Sequence, residues 1–167
     1  MKRYAVIFEK SANGWGAYVP DLPGCVAVTA VGEVFNYLFD SNNDEQRLHS
    51  LFRRIYDALV PAGLFLFDIA TPERMKPGPP QRTFAYGPDW AVLVEFSVEA
   101  GVLTRHNTSF RKTGDLYRRD TEVHRLALME PTSVLESLRG AGFEAQIIPS
   151  YRAVPVPHGL VAFLARK

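Results

Sequence analysis

The feature that most constrains this chain is a pair of short, uninterrupted apolar runs separated by one amphipathic helical segment. Residues Val26 to Val31 read VAVTAV, and residues Leu64 to Ile69 read LFLFDI. Neither alternates apolar with polar residues, which is the pattern of strands covered on both faces, as in parallel α/β sheets. Between them, Ser41-Asn42-Asn43 supplies side-chain caps, and Asp44 and Glu45 fall in a first helical turn. Leu48, Leu51, Phe52, Ile55 and Leu59 then recur at helical spacing. The spacing predicts a helix over Asn43 to Leu59 that stops at Val60-Pro61-Ala62-Gly63. Strand, helix and strand over this length form a right-handed parallel crossover. Gly32 to Asp40 (GEVFNYLFD) leaves the carboxyl end of the first strand, where open α/β sheets place their ligands.

The flanks read differently. Tyr4 to Phe8 and Trp15 to Val19 are β-branched and aromatic runs on either side of Ser11-Ala12-Asn13-Gly14, which predicts a β-hairpin. Downstream, Thr71 to Gln81 holds four prolines and reads as a loop. Ala91 to Val98, Val102 to Phe110 and Leu116 to Met129 follow as strands, joined by turns short enough for an antiparallel meander. Pro131 opens a short helix with Val134, Leu135 and Leu138 facing inward, ended by Gly140-Ala141-Gly142. Two closing strands are expected over roughly 144–154 and 160–165.

Composition narrows the function classes. The chain has 167 residues, with 19 basic against 18 acidic side chains, so charge calls for neither nucleic acid nor an anionic membrane as partner. No apolar run approaches the ~20 residues that span a bilayer, and the N-terminus lacks a secretory signal, which places the protein in the cytoplasm. Cys25 is the single cysteine, and no His or Cys cluster has metal-ligand spacing, so no metal is expected. Of four histidines, His106 and His124 fall on predicted meander strands, where they are placed either to deprotonate a substrate or simply to hydrogen-bond. The basic residues Arg111, Lys112, Arg118, Arg119 and Arg125 are interleaved with Asp115, Asp120 and Glu122 and read as a solvated sheet face.

Four segments together resemble the carboxyl-terminal half of a class I S-adenosylmethionine-dependent methyltransferase of the small-molecule type. They are VTAVGEVFNYL at 28–38, LFRRIYDALVPAGLFLFDIATPER at 51–74, TSFRKTGDLYRRDTEVHRLALMEP at 108–131 and LRGAGFEAQ at 138–146. The resemblance implies an α/β fold: a truncated Rossmann-like methyltransferase sheet of three or four strands plus the meander, with the N-terminal hairpin at the sheet edge. It also implies S-adenosylmethionine as cofactor and a small-molecule substrate. Gly32, Glu33, Asn36 and Tyr37 would form the cofactor wall, Glu33 offsetting the sulfonium charge and the Tyr37 ring packing against the cation. Asp68, His106 and His124 would contact the substrate, and no catalytic residue is assigned. The alternative is that Phe35, Tyr37, Leu38 and Phe39 are core and that Glu33 caps the next helix. The family's glycine-rich turn, which follows a strand and opens a helix, has no counterpart among these residues. Cofactor binding and activity are therefore expected to be impaired.

Residues 3–28, RYAVIFEKSANGWGAYVPDLPGCVAV, instead resemble the start of the HicB antitoxins, whose opening hairpin ends in a PDLPGC turn. The expected organisation is thus a HicB-like hairpin over 1–28 joined to a partial methyltransferase domain over 26–167. The alternative function is a HicB-like antitoxin or protein-binding module, for which the hairpin would take a small toxin as partner. A homodimer is the remaining partner left open.

Overall fold

A computed structural model describes residues 7–11, 14–18, 25–37, 45–76 and 78–167. Strands β1 (Ile7–Ser11) and β2 (Gly14–Tyr18) pair antiparallel, Ile7 opposite Tyr18 and Ser11 opposite Gly14, as a two-stranded sheet of their own. The PDLPGC turn lies largely outside the described residues.

The central sheet has the order β3-β4-β12-β9. Its strands are β3 (Cys25–Ala30), β4 (Leu59–Ala70), β9 (Glu144–Ile148) and β12 (Leu160–Arg166). The two apolar runs pair parallel, as their patterning predicts, while β12 runs antiparallel to both β4 and β9. Helix α1 (Glu45–Ala58) joins β3 to β4. Val60-Pro61-Ala62-Gly63 does end the helix, yet the chain is already extended from Leu59. Cys25 sits opposite Leu59 but Ala27 opposite Leu64, so the insert bulges out of the ladder. Ala62 takes φ 63° and donates to the Lys167 carbonyl at 2.9 Å, and Lys167 donates back to Gly63 at 3.0 Å. Gly63 is required there because a Cβ would lie 2.9 Å from the Val60 carbonyl.

The core lies between α1, α2 (Pro131–Gly140) and one face of the sheet. Phe65, Phe67 and Ile69 point to it at period two, and Phe52 of α1 meets Phe65 and Phe67 at 5.9 and 5.4 Å between ring centroids. Phe35, from the segment after β3, packs edge-on to all three rings. Val134 and Leu138 of α2 are buried as predicted, with Leu135 partly so.

The meander forms a separate four-stranded antiparallel sheet of β5 (Gln81–Tyr86), β6 (Trp90–Glu99), β7 (Val102–Thr113) and β8 (Leu116–Ala127). Strand β5 was not expected, because all six of its residues are exposed and carry no burial pattern. The stretch expected as one strand over 144–154 breaks after β9, where Pro149 cannot donate to a ladder. The chain then folds into a small hairpin of β10 (Ser150–Tyr151) and β11 (Val154–Pro155).

Candidate active site

The polar cluster of this fold lies at the carboxyl ends of β3 and β4. Leaving β3, the backbone turns through two left-handed residues, Gly32 at φ 103° and Glu33 at φ 62°, into a 3-10 turn over Val34–Asn36. A left-handed conformation at a non-glycine residue is costly and persists only when its surroundings hold it. Asp68, near the end of β4, holds this one: its Oδ1 accepts from the backbone N–H groups of Gly32 at 2.8 Å and Glu33 at 2.6 Å. Its Oδ2 accepts from the Tyr151 hydroxyl at 2.6 Å. Burial, then the hydrogen bond to Asp68 and the carboxylate's charge, push the Tyr151 phenol well above its ordinary value.

Asn36 is fully buried and saturated by backbone. Its Nδ2 donates to the carbonyls of Ala70 at 2.8 Å and Ala127 at 2.6 Å, and its Oδ1 accepts from Ala70 N–H at 2.8 Å. One side chain thereby ties the end of β4 to the end of β8 and fixes the turn between them. Tyr37 continues this seam, bridging Leu126 of β8.

Glu33 is buried between two guanidiniums. Arg105 of β7 reaches its Oε2 at 2.5 Å, and Arg74 reaches its Oε1 at 3.1 Å from the 3-10 turn over Pro72–Arg74. The charge of Glu33 is met from within the protein. Arg105 is itself mostly buried, and its Nε has no hydrogen-bond partner among the described residues.

Cross-strand register decides which meander residues face this cluster. Arg105 sits directly opposite His124, and Leu103 opposite Leu126, with both leucines buried. His106 is opposite Val123, one residue out of phase, so strand alternation sends it to the other face, where it is exposed. The structure therefore brings Gly32, Glu33, Asn36, Tyr37, Asp68 and His124 together and leaves His106 apart. His124 packs edge-on to Tyr37 at 5.6 Å between ring centroids, with Asn107 at 3.3 Å from Nδ1 and Glu122 at 3.2 Å from Nε2.

Sequence reasoning missed Arg74, Arg105 and Tyr151. For Arg105 a signal was present: it shares the parity of Leu103, the buried residue of its strand, whereas His106 does not. Arg74 and Tyr151 lie in proline-bounded irregular segments, where no periodicity indicates direction.

No protein-family model matches the sequence, and no curated protein matches it. Solved structures do. An S-adenosylmethionine-dependent methyltransferase from Clostridium acetobutylicum is similar with a TM-score of 0.70 at 17% identity, over 86% of this chain and 58% of that one. An amino pentose methyltransferase from Micromonospora echinaspora gives 0.66 at 16% identity, over 86% and 58%. A sugar N-methyltransferase from a Streptoalloteichus species gives 0.64 at 18%, over 87% and 57%. The chain thus spans somewhat less than three fifths of the length of each protein it resembles, and over that span its fold is the Rossmann-like fold of S-adenosylmethionine-dependent methyltransferases.

Proposed function

We propose that this chain carries the acceptor side of a methyltransferase site and methylates a small molecule, with S-adenosylmethionine as the methyl source. The observation that carries the reading is the polar turn at the carboxyl ends of parallel strands β3 and β4, in a fold similar to methyltransferases along 86% of the chain. In such sheets this end is where ligands sit. Two of the structurally similar proteins are named for amino pentose or sugar N-methylation, so an amine-bearing sugar is the first acceptor to try.

The fit to the cofactor is uneven among the four wall residues. Gly32 fits, because nothing lies within 4 Å of the position a Cβ would take. Tyr37 offers a half-buried ring beside the turn. Glu33 and Asn36 act by shaping that turn, since their polar atoms are already engaged. S-adenosylmethionine supplies a methyl group activated by a sulfonium, and the protein's task is mainly alignment. His124 lines the acceptor side, but its Nδ1 faces the Asn107 amide and its Nε2 the Glu122 carboxylate, so the proton that an acceptor amine releases as its nitrogen gains the methyl passes to solvent. Asp68 acts through the turn. His106 has no part in this site.

Neither glycine pair supplies a cofactor loop: Gly14 and Gly16 lie in β2, and Gly140 and Gly142 at the end of α2. Affinity is therefore weak and turnover impaired. Titration calorimetry with S-adenosylmethionine and S-adenosylhomocysteine tests this: saturable heat near millimolar ligand, about −4 kcal/mol in binding free energy, is expected. No heat with either ligand overturns the proposal. A second reading is favoured by the self-contained β1–β2 sheet: a HicB-like hairpin over 1–28 that binds a small toxin. Co-expression with a small toxin encoded beside it, followed by co-purification, decides it.

A further inference from the structure

Far from the polar turn, the meander forms a second polar recess. Its rows are set by register: Trp90 stands opposite Arg111 and Arg111 opposite Arg118, while in the next row Val92 stands opposite Ser109 and Ser109 opposite Asp120. These six side chains share one face and line a cleft of about 500 Å3. It is the face that carries Arg105 and His124, but six residues along the strand, roughly 20 Å away at ~3.4 Å per residue.

Two guanidiniums directly opposite each other on neighbouring strands repel and lower sheet stability. Asp120 relieves only one of them: Arg118 binds it from both Nε and an Nη nitrogen, at 2.7 Å each. Among the described residues, the Arg111 side chain has no carboxylate or hydrogen-bond partner. Trp90 bounds the cleft beyond Arg111 and is held by close packing against Gly87, whose Cβ position would lie 2.5 Å from the indole Nε1. An unpaired guanidinium, a second cation beside it and a fixed flat ring form a recognition set for an organic anion.

We propose that this cleft is a binding site for a small organic anion, distinct from the polar turn. The oxyanion bridges Arg111 and Arg118, and a flat part of the ligand lies against Trp90 and Val92. The repulsion between the two guanidiniums is then offset when the ligand binds. This assignment does not depend on the methyl-transfer reading, because no residue is shared between the two sites.

The test is calorimetry on the full chain at low ionic strength with phenyl phosphate and with benzoate, where surface charge is least screened. Saturable binding of either is expected below about 10 mM, the preferred one identifying the oxyanion as phosphate or carboxylate. Arg111→Ala should weaken it about tenfold and Trp90→Leu about threefold. Arg119→Ala, on the opposite face, should leave it within about twofold. The melting temperature of Arg111→Ala should stay level or rise, since removing a like-charge neighbour offsets the lost packing of its stem beside Trp90. Absence of saturable heat with both probes overturns the proposal. So does equal weakening by Arg119→Ala, which would reduce the effect to diffuse charge.

Discussion

Asp68 is where the parts of the polar turn converge, and removing its carboxylate is the most informative perturbation of this protein. In Asp68→Ala three donors lose their acceptor: the backbone N–H groups of Gly32 and Glu33, and the Tyr151 hydroxyl. Leaving a buried donor unpaired costs about 1–3 kcal/mol; the Glu33 N–H is fully buried and stands at about 3 kcal/mol, whereas the part-buried Gly32 N–H and Tyr151 hydroxyl regain water and cost about 1 kcal/mol each, about 5 kcal/mol in all. Relaxation of the left-handed Glu33 returns about 1 kcal/mol, because that conformation no longer has to be held. The net loss expected is about 4 kcal/mol, a large share of the ~5–15 kcal/mol typical of a domain. Asp68→Asn keeps one carbonyl oxygen for the two backbone donors and should lose only about 1–2 kcal/mol. Urea unfolding followed by circular dichroism reads both: with a slope of ~2 kcal/mol per molar, Asp68→Ala should drop the midpoint by about 2 M. An Asp68→Ala midpoint corresponding to less than about 0.5 kcal/mol of lost stability would refute the argument, because the turn would then be held by something other than this carboxylate.

Three further outcomes follow from the same contacts. The Tyr151 phenol is raised in the folded protein, so its contribution is present below the unfolded pKa near 10 and is lost as pH rises through the folded value. Above pH ~10 the wild-type should lose stability more steeply than Tyr151→Phe, by at most about 1.4 kcal/mol per pH unit and less as solvent screens the half-buried group; parallel curves would contradict this. Glu33→Gln should destabilise by about 3–5 kcal/mol in denaturant, because Arg105 is left buried without its carboxylate, and the double variant Glu33→Leu, Arg105→Met should regain most of the loss. Gly159→Ala places a Cβ 2.2 Å from the Arg74 Cα at a φ of +75°, and should lower the melting temperature by on the order of 10 °C.

Much of the central sheet was legible in the chain. VAVTAV and LFLFDI read as parallel strands because they lack polar alternation, and Val28 does pair parallel with Phe65; the two-sided burial behind that reading fails for VAVTAV, which is the sheet's edge strand with Val26 and Val31 exposed. The α1 stripe and the Val134, Leu138 face were equally plain. Strand β5 was not, because QRTFAY has neither an apolar face nor a run of β-branched residues, and its order comes from pairing with β6. Of the candidate site, the turn after β3 could be located by its position at the end of a parallel strand. What each side chain does there could not be read: Glu33 was expected to face a ligand cation, whereas two arginines from other elements surround it.

The sequence by itself therefore determined the periods, the strand order along the chain and the likeness to a methyltransferase half. Those depend on neighbours within a few residues, and local spacing records them. Only the tertiary structure decided which polar groups meet. Tyr151 reaches Asp68 across 83 residues, Arg105 reaches Glu33 across 72, and Asn36 reaches Ala127 across 91. Such bonds form because folding desolvates these groups and each must find whatever partner the packed sheets bring near it, a condition that no local pattern in the chain encodes.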